Sequence, residues 1–240
     1  MGSCGLTLWT GRPGVYFGQN VCTMTDRRPT LLSRITQAVV LWLYRWKGWT
    51  ITGERPTARK FVITGAPHTT NWDFIFFVGT IHKLGLKPSF VGKLSLFRGP
   101  LKRFMYDMGG LPVDRSKRNN NYVEETAAHF DRAEDLALVV APEGTRGSDG
   151  TWRSGFYHIA LKAGVPIVPA WVNHATMKGG IGPAIMPTGD YAADLAKIAA
   201  FYRSVMPDCL RFERLAASAA ALKEAATESL PGGLKGKAHG

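Results

Sequence analysis

An α/β domain, with a largely parallel, mixed sheet flanked by helices, is the fold class that this 240-residue sequence predicts. Short apolar runs alternate with longer segments of helical content, the order expected of strands joined by helical crossovers. Residues 136–141 (LALVVA) are continuously apolar, as in a strand buried on both faces. Glycines stand where helical segments should stop, at Gly85 and at Gly109-Gly110.

From the N-terminus, residues 1–23 are rich in glycine and small polar residues. They carry no periodic apolar pattern and lack the basic–apolar–small layout of a signal peptide. A disordered or spurious extension is expected over 1–26, with Met24 opening a more ordinary sequence. Residues 27–48 read as an amphipathic membrane-interface helix. Leu31, Ile35, Ala38, Val39, Trp42 and Trp46 recur at three- and four-residue steps. Arg34 and Arg45 bound an uncharged run of ten residues, 35–44. A bilayer crossing takes about 20 apolar residues. Trp42, Tyr44, Trp46 and Trp49, set among cations, instead suit a helix lying in the interface plane. The alternative is an ordinary helix packed on the core.

Residues 49–205 are expected to form the main α/β domain. Residues 60–64 (KFVIT) read as a strand, 71–84 as a helix stopping at Gly85, and 87–91 as a strand. Residues 101–108 are helical and 111–113 a short strand. Residues 121–132 are helical, with Glu124 and Glu125 in the first turn, where the helix dipole favours carboxylates. After the 136–141 strand come a helix at 155–163, a buried strand at 165–172 and a helix at 191–203. An Ala-rich C-terminal helix is expected within 206–230, and a flexible tail over 231–240.

The formal net charge is +12 and the isoelectric point about 9.8. Such a balance implies an anionic partner: nucleic acid, an anionic membrane surface or a phosphate-bearing substrate. The charge is focused. Residues 27–60 hold eight basic residues against one acidic, and residues 83–118 hold nine against two. No RNA-recognition, zinc-finger or helix-turn-helix pattern accompanies them, and many lie among tryptophans. The expected partner is therefore an anionic membrane surface, with no nucleic acid. Cys4, Cys22 and Cys209 form no CxxC pair, and an odd, scattered set argues for a reducing compartment. No HExxH occurs, and no metal is expected.

Four motifs carry chemistry. His68 and Asp73 follow the first predicted strand, in Gly65-Ala66-Pro67-His68-Thr69-Thr70-Asn71-Trp72-Asp73. On one straight helix a five-residue step turns the side chain roughly 140° away. The two can meet only if the chain bends, with His68 in the loop, Asn71 as helix N-cap and Asp73 in the first turn. Asp73 would then hold one ring nitrogen and leave the other as a general base. Alone, such a pair is more often structural. Arg115 closes Gly109-Gly110-Leu111-Pro112-Val113-Asp114-Arg115, where a guanidinium beside a glycine turn suits a phosphate. Ala141-Pro142-Glu143-Gly144-Thr145-Arg146 follows the buried strand, bringing a carboxylate, a turn, a hydroxyl and a guanidinium to a strand end. Val165-Pro166-Ile167-Val168-Pro169-Ala170 is a strand with a proline near each end.

In this order the four blocks resemble the glycerophospholipid acyltransferase family, the lysophosphatidic acid acyltransferases and their relatives. His68 to Asp73 is similar to the family's HxxxxD box, and 93–115 to its second block. Pro142 to Arg146 is similar to its PEGTR block, and 165–170 to its fourth. The resemblance covers about 49–172. Ala141 and Gly147 stand where the family often has Phe and Ser, and Leu111-Pro112-Val113 differs from its usual approach to Asp-Arg. These departures bear on which acceptor is used.

The resemblance implies acyl transfer from acyl-CoA or acyl-carrier protein to a hydroxyl of a lysophospholipid or glycerol phosphate, in phospholipid synthesis. It implies His68 and Asp73 as the catalytic pair, and Lys93, Arg115, Glu143, Gly144, Thr145 and Arg146 as substrate-binding residues. No cofactor beyond the acyl donor is implied. The place implied is peripheral, on the cytoplasmic face of a membrane. There is no GxSxG serine elbow. A catalytically silent lipid-binding module, or a hydrolase using the same His–Asp pair, stays open.

Overall fold

A computed structural model of the protein describes residues 29–114, 119–144 and 149–228. The expectations for 1–26 and 231–240 lie outside the described residues. The chain runs α1 (Leu31–Lys47), β1 (Thr50–Thr52), β2 (Lys60–Ala66), α2 (Asn71–Lys83) and β3 (Pro88–Lys93). Two 3-10 turns, Leu94–Phe97 and Gly99–Leu101, lead into α3 (Lys102–Asp107) and β4 (Gly110–Val113). There follow α4 (Asn119–Arg132), β5 (Leu136–Val140), α5 (Gly155–Ala163), β6 (Ile167–Asn173), β7 (Lys178–Ile181), α6 (Tyr191–Val205) and α7 (Leu210–Glu228).

The seven strands form one sheet in the order β1-β7-β6-β2-β5-β3-β4. Every neighbouring pair is parallel except β6–β7, so the sheet is largely parallel and mixed, as predicted. β2 lies near the centre, with Ile63 opposite Val139 on one side and Val168 on the other. Its side chains alternate between two cores. Phe61 and Ile63 pack with Val168, Tyr44, Trp49, Phe76 and Ile81 under α1 and α2. Val62 packs with Leu138, Ile167, Phe156, Ile198, Tyr202 and Phe212 under the helices of the other face. Burial on both faces explains why β2, β5 and β6 read as apolar runs rather than alternating ones.

α1 is capped by Thr30, whose hydroxyl accepts the Ser33 N–H at 3.2 Å. Asp107, at the end of α3, accepts the Thr30 N–H at 2.8 Å and the Ser33 hydroxyl at 2.7 Å. Burial would raise the Asp107 carboxyl, but hydrogen bonds from the Thr30 N–H and from the Ser33 and Thr30 hydroxyls outweigh it and hold it below its ordinary value. α1 meets α2 through Tyr44, which lies against Gly79. A Cβ at Gly79 would clash with the Tyr44 side chain, so the close approach requires glycine. The expected interfacial aromatics divide, because Tyr44 and Trp49 are buried in the core under α1 and α2, whereas Trp42 and Trp46 are not. Val40 and Tyr44 face inward, while Leu31, Ile35, Val39, Trp42 and Trp46 are exposed, the two tryptophans by 61% and 65%. Among the described residues no helix is long and apolar enough to cross a membrane.

Two strands lie where none was expected, β1 and β7, of three and four residues. α4 begins at Asn119, two residues before its expected start, and its first turn holds no acidic residue. Glu125 accepts the Asp114 N–H at 3.0 Å instead of serving the helix dipole.

Candidate active site

The strand ends of β2, β5 and β6 open at the same edge of the sheet, and the loops leaving them hold the chemistry. His68 sits in the loop after β2, and Asp73 in the first turn of α2. The bend comes one residue earlier than Asn71. Thr70 is the N-cap, its hydroxyl accepting the Trp72 N–H at 3.2 Å. Asp73 closes a capping box by accepting the Thr70 N–H at 2.7 Å, and it also takes the Thr69 N–H at 2.6 Å. The signal was legible as Thr-x-x-Asp at 70–73.

The bend brings His68 Nδ1 to 3.6 Å from Asp73 Oδ2. That is an electrostatic contact slightly beyond hydrogen-bond length, a separation common before substrate binds. Asp73 is fully buried, whereas the His68 side chain is 22% exposed. With Nδ1 turned to the carboxylate, Nε2 is the ring nitrogen left for a substrate proton.

Glu143, on the loop leaving β5, is 2% exposed. Its Oε1 accepts the His68 N–H at 3.3 Å, and its Oε2 pairs with Arg211 near the start of α7. Glu143 thus holds the His68 loop from below. Gly144 beside it is exposed and left-handed, with φ 75°, a conformation that favours glycine. The Arg153 guanidinium lies over Gly144, and the Arg153 N–H bonds the Pro142 carbonyl at 3.0 Å. Lys93 ends β3, exposed, opposite Val113 of β4. Arg115, Thr145 and Arg146 lie outside the described residues. The structure therefore gathers His68, Asp73, Glu143 and Gly144, and sets Lys93 at the same end of the sheet beyond β5.

Three participants escaped sequence reasoning. Arg211 pairs with Glu143 across 68 residues of chain. The Tyr202 hydroxyl lies 2.6 Å from the Thr64 carbonyl and 3.2 Å from that of Ala170, bracing β2 against β6 just before the site. Burial pushes that hydroxyl far above the usual tyrosine value. His174, directly after β6, places Nε2 2.6 Å from Asp73 Oδ1. Its position past the end of a buried strand, beside the strand that carries His68, was the available clue.

The Acyltransferase family model matches residues 49–173, slightly more than half of the chain, and spans His68, Asp73 and Glu143. The 1-acyl-sn-glycerol-3-phosphate acyltransferase of Escherichia coli (strain K12) is 31% identical over 120 residues, 47% of each chain. The protein of the same name from Limnanthes alba is 27% identical over 151 residues, 61% of this chain and 52% of that one. That of Salmonella typhimurium is 29% identical over 119 residues, 47% of each chain. The chain spans about half the length of these relatives. By the matched region, this chain belongs to the acyltransferase family.

Proposed function

We propose that the protein moves a fatty acyl group from acyl-CoA or acyl-carrier protein to a hydroxyl of a lysophospholipid or glycerol phosphate, in phospholipid synthesis. The observation that carries this reading is the His68–Asp73 pair at a strand end, with Nε2 of His68 unclaimed by the carboxylate. A lipid alcohol is a weak nucleophile at neutral pH, and a placed base contributes about 100- to 10,000-fold. His68 takes the hydroxyl proton as the oxygen attacks the thioester carbonyl. The tetrahedral intermediate collapses, the C–S bond breaks, and the departing thiolate receives the proton from His68. Asp73 holds the imidazole and faces its positive form. Glu143 fixes the loop through the His68 N–H.

Lys93, Arg115 and Arg146, with Gly144 and Thr145, form the proposed head-group site, where guanidinium groups match phosphate oxygens. Glu143, expected there from the sequence, is instead buried on the His68 N–H and Arg211 and supports the loop. The names of the relatives, which specify 1-acyl-sn-glycerol-3-phosphate, support a phosphate-bearing acceptor. The exposed Leu31–Trp46 stripe of α1 supports peripheral binding to a membrane surface; an anionic, cytoplasmic face is the one proposed. In this reading 49–205 is the catalytic unit and 27–48 its interfacial helix.

The test is incubation of the full chain with labelled acyl-CoA and a panel of lyso-lipids and glycerol phosphate. Labelled acyl-lipid is the expected product. Free fatty acid alone would mark a hydrolase, and unchanged donor with bound lipid a silent module.

A further inference from the structure

Resting on the acyl-transfer reading above, we propose that His174 is a positioning residue for the reaction. Its hydrogen bond to one oxygen of Asp73 fixes the carboxylate whose other oxygen faces His68.

Asp73 is the junction. On Oδ2 it receives the Thr69 and Thr70 N–H groups and faces His68 Nδ1. On Oδ1 it meets the Thr70 hydroxyl at 3.2 Å and His174 Nε2 at 2.6 Å. A carboxylate only accepts, so His174 Nε2 carries the hydrogen. The contact is short, at the lower limit of charge-assisted N–H···O bonds. Because Asp73 has no solvent exposure, water does not substitute for a lost donor, and without His174 Oδ1 keeps only the longer bond from the Thr70 hydroxyl. His174 and Asp73 are 101 residues apart in sequence, so tertiary structure alone makes the bond.

The frame around His174 is built to hold it. β6 pairs in parallel with β2, with Trp171 opposite Ala66. The two histidines therefore leave adjacent strands at the same end, His68 two residues past Ala66 and His174 three past Trp171. The Asn173 side chain accepts the Ala175 N–H at 3.0 Å and the Thr176 N–H at 3.1 Å, shaping the turn that follows. The Trp49 ring meets the His174 ring edge-on at 5.9 Å between centroids. Trp49 is itself 5% exposed and packs on Trp72 and Phe76 of α2.

The carboxylate is thus gripped from both sides: by backbone N–H groups of its own capping box and by an imidazole from another strand. Loss of the second grip frees the plane of the carboxylate to turn. The His68 ring then loses its orientation, although His68 itself is untouched.

The test uses the full-length protein with oleoyl-CoA and 1-oleoyl-lysophosphatidic acid. His174→Phe, His174→Gln and His68→Ala are assayed in parallel, each with a thermal melt. Phe keeps the ring packing on Trp49 but offers no donor; Gln offers an N–H in the place of Nε2. His174→Phe is expected to lower kcat on the order of ten- to a hundredfold, the scale of a displaced catalytic group. KM for both substrates should stay within about twofold, because no substrate contact is removed. His174→Gln should recover most of the lost kcat. Wild-type kcat in His174→Phe would overturn the proposal. So would an effect confined to KM, or a Gln variant no better than Phe at an equal melting temperature. Activity retained by His68→Ala would instead overturn the acyl-transfer reading on which the proposal rests.

Discussion

Arg211, near the start of α7, pairs with the Glu143 carboxylate on the loop leaving β5, while the other Glu143 oxygen takes the His68 N–H at 3.3 Å. Helix α7 is thereby tied to the His68 loop. The Glu143 side chain is wholly buried and that of Arg211 is 24% exposed. Removing the cation breaks a buried ion pair. Arg211→Leu is therefore expected to destabilise the fold by about 3–5 kcal/mol and to lower kcat through the loosened His68 loop. Urea unfolding combined with steady-state kinetics measures both. Unchanged stability would show that the pair does not hold the loop.

Gly79 sets the spacing of α1 and α2, because the Tyr44 ring occupies the space a Cβ would need. Gly79→Ala should cost about 1–3 kcal/mol, the scale of overpacking in a filled core. The gain in helix propensity is worth only about 1 kcal/mol. A melting temperature equal to or above that of the wild type would contradict the close approach.

Asp107 fastens α1 through Thr30 and Ser33, and its folded-state value is depressed. A depressed carboxyl contributes stability that is present above its unfolded value, about 3.9, and is lost as pH falls through the folded value. Asp107→Asn should therefore be less stable than the wild type at neutral pH. The gap should narrow on acidification below about pH 4. Urea midpoints across that range, followed for both proteins, test this; a gap independent of pH would remove Asp107 ionisation as its source.

Trp42 and Trp46 stack on each other at 6.2 Å between centroids and stand in the exposed stripe of α1. The Trp42→Ser/Trp46→Ser double variant should leave the melting temperature unchanged, since neither ring is buried. Partitioning onto phosphatidylglycerol-containing vesicles should weaken about tenfold or more, given about 1.5–3 kcal/mol for each large apolar side chain buried. Co-sedimentation equal to that of the wild type would remove α1 as the membrane-facing element.

How much of this was legible in the sequence follows from the range of each interaction. The His68–Asp73 bend could be read because a five-residue motif and its capping signals are local. Even there Asn71 competed with Thr70 for the cap, and the Thr70–Asp73 box decided it. The capping role also means that Asp73→Ala removes backbone partners as well as an orienting group, so it should cost stability along with activity. The buried strands were legible from continuous apolar runs. β1 and β7 were not, because Thr-Ile-Thr and Lys-Gly-Gly-Ile have neither the length nor the apolar content of a strand on their own. They form because β7 turns back antiparallel on β6 and β1 pairs along it. His174 and Arg211 reach the site through the packing of β6 and α7, which no local pattern records.

His68 is the proposed base of the acyl transfer. The most direct test of this role is the rate of labelled acyl transfer by His68→Ala against the wild type, with both shown by circular dichroism to be folded. A loss of at least about 100-fold, the lower end of what a placed base contributes, is predicted. Transfer at the wild-type rate by the folded His68→Ala protein would contradict it.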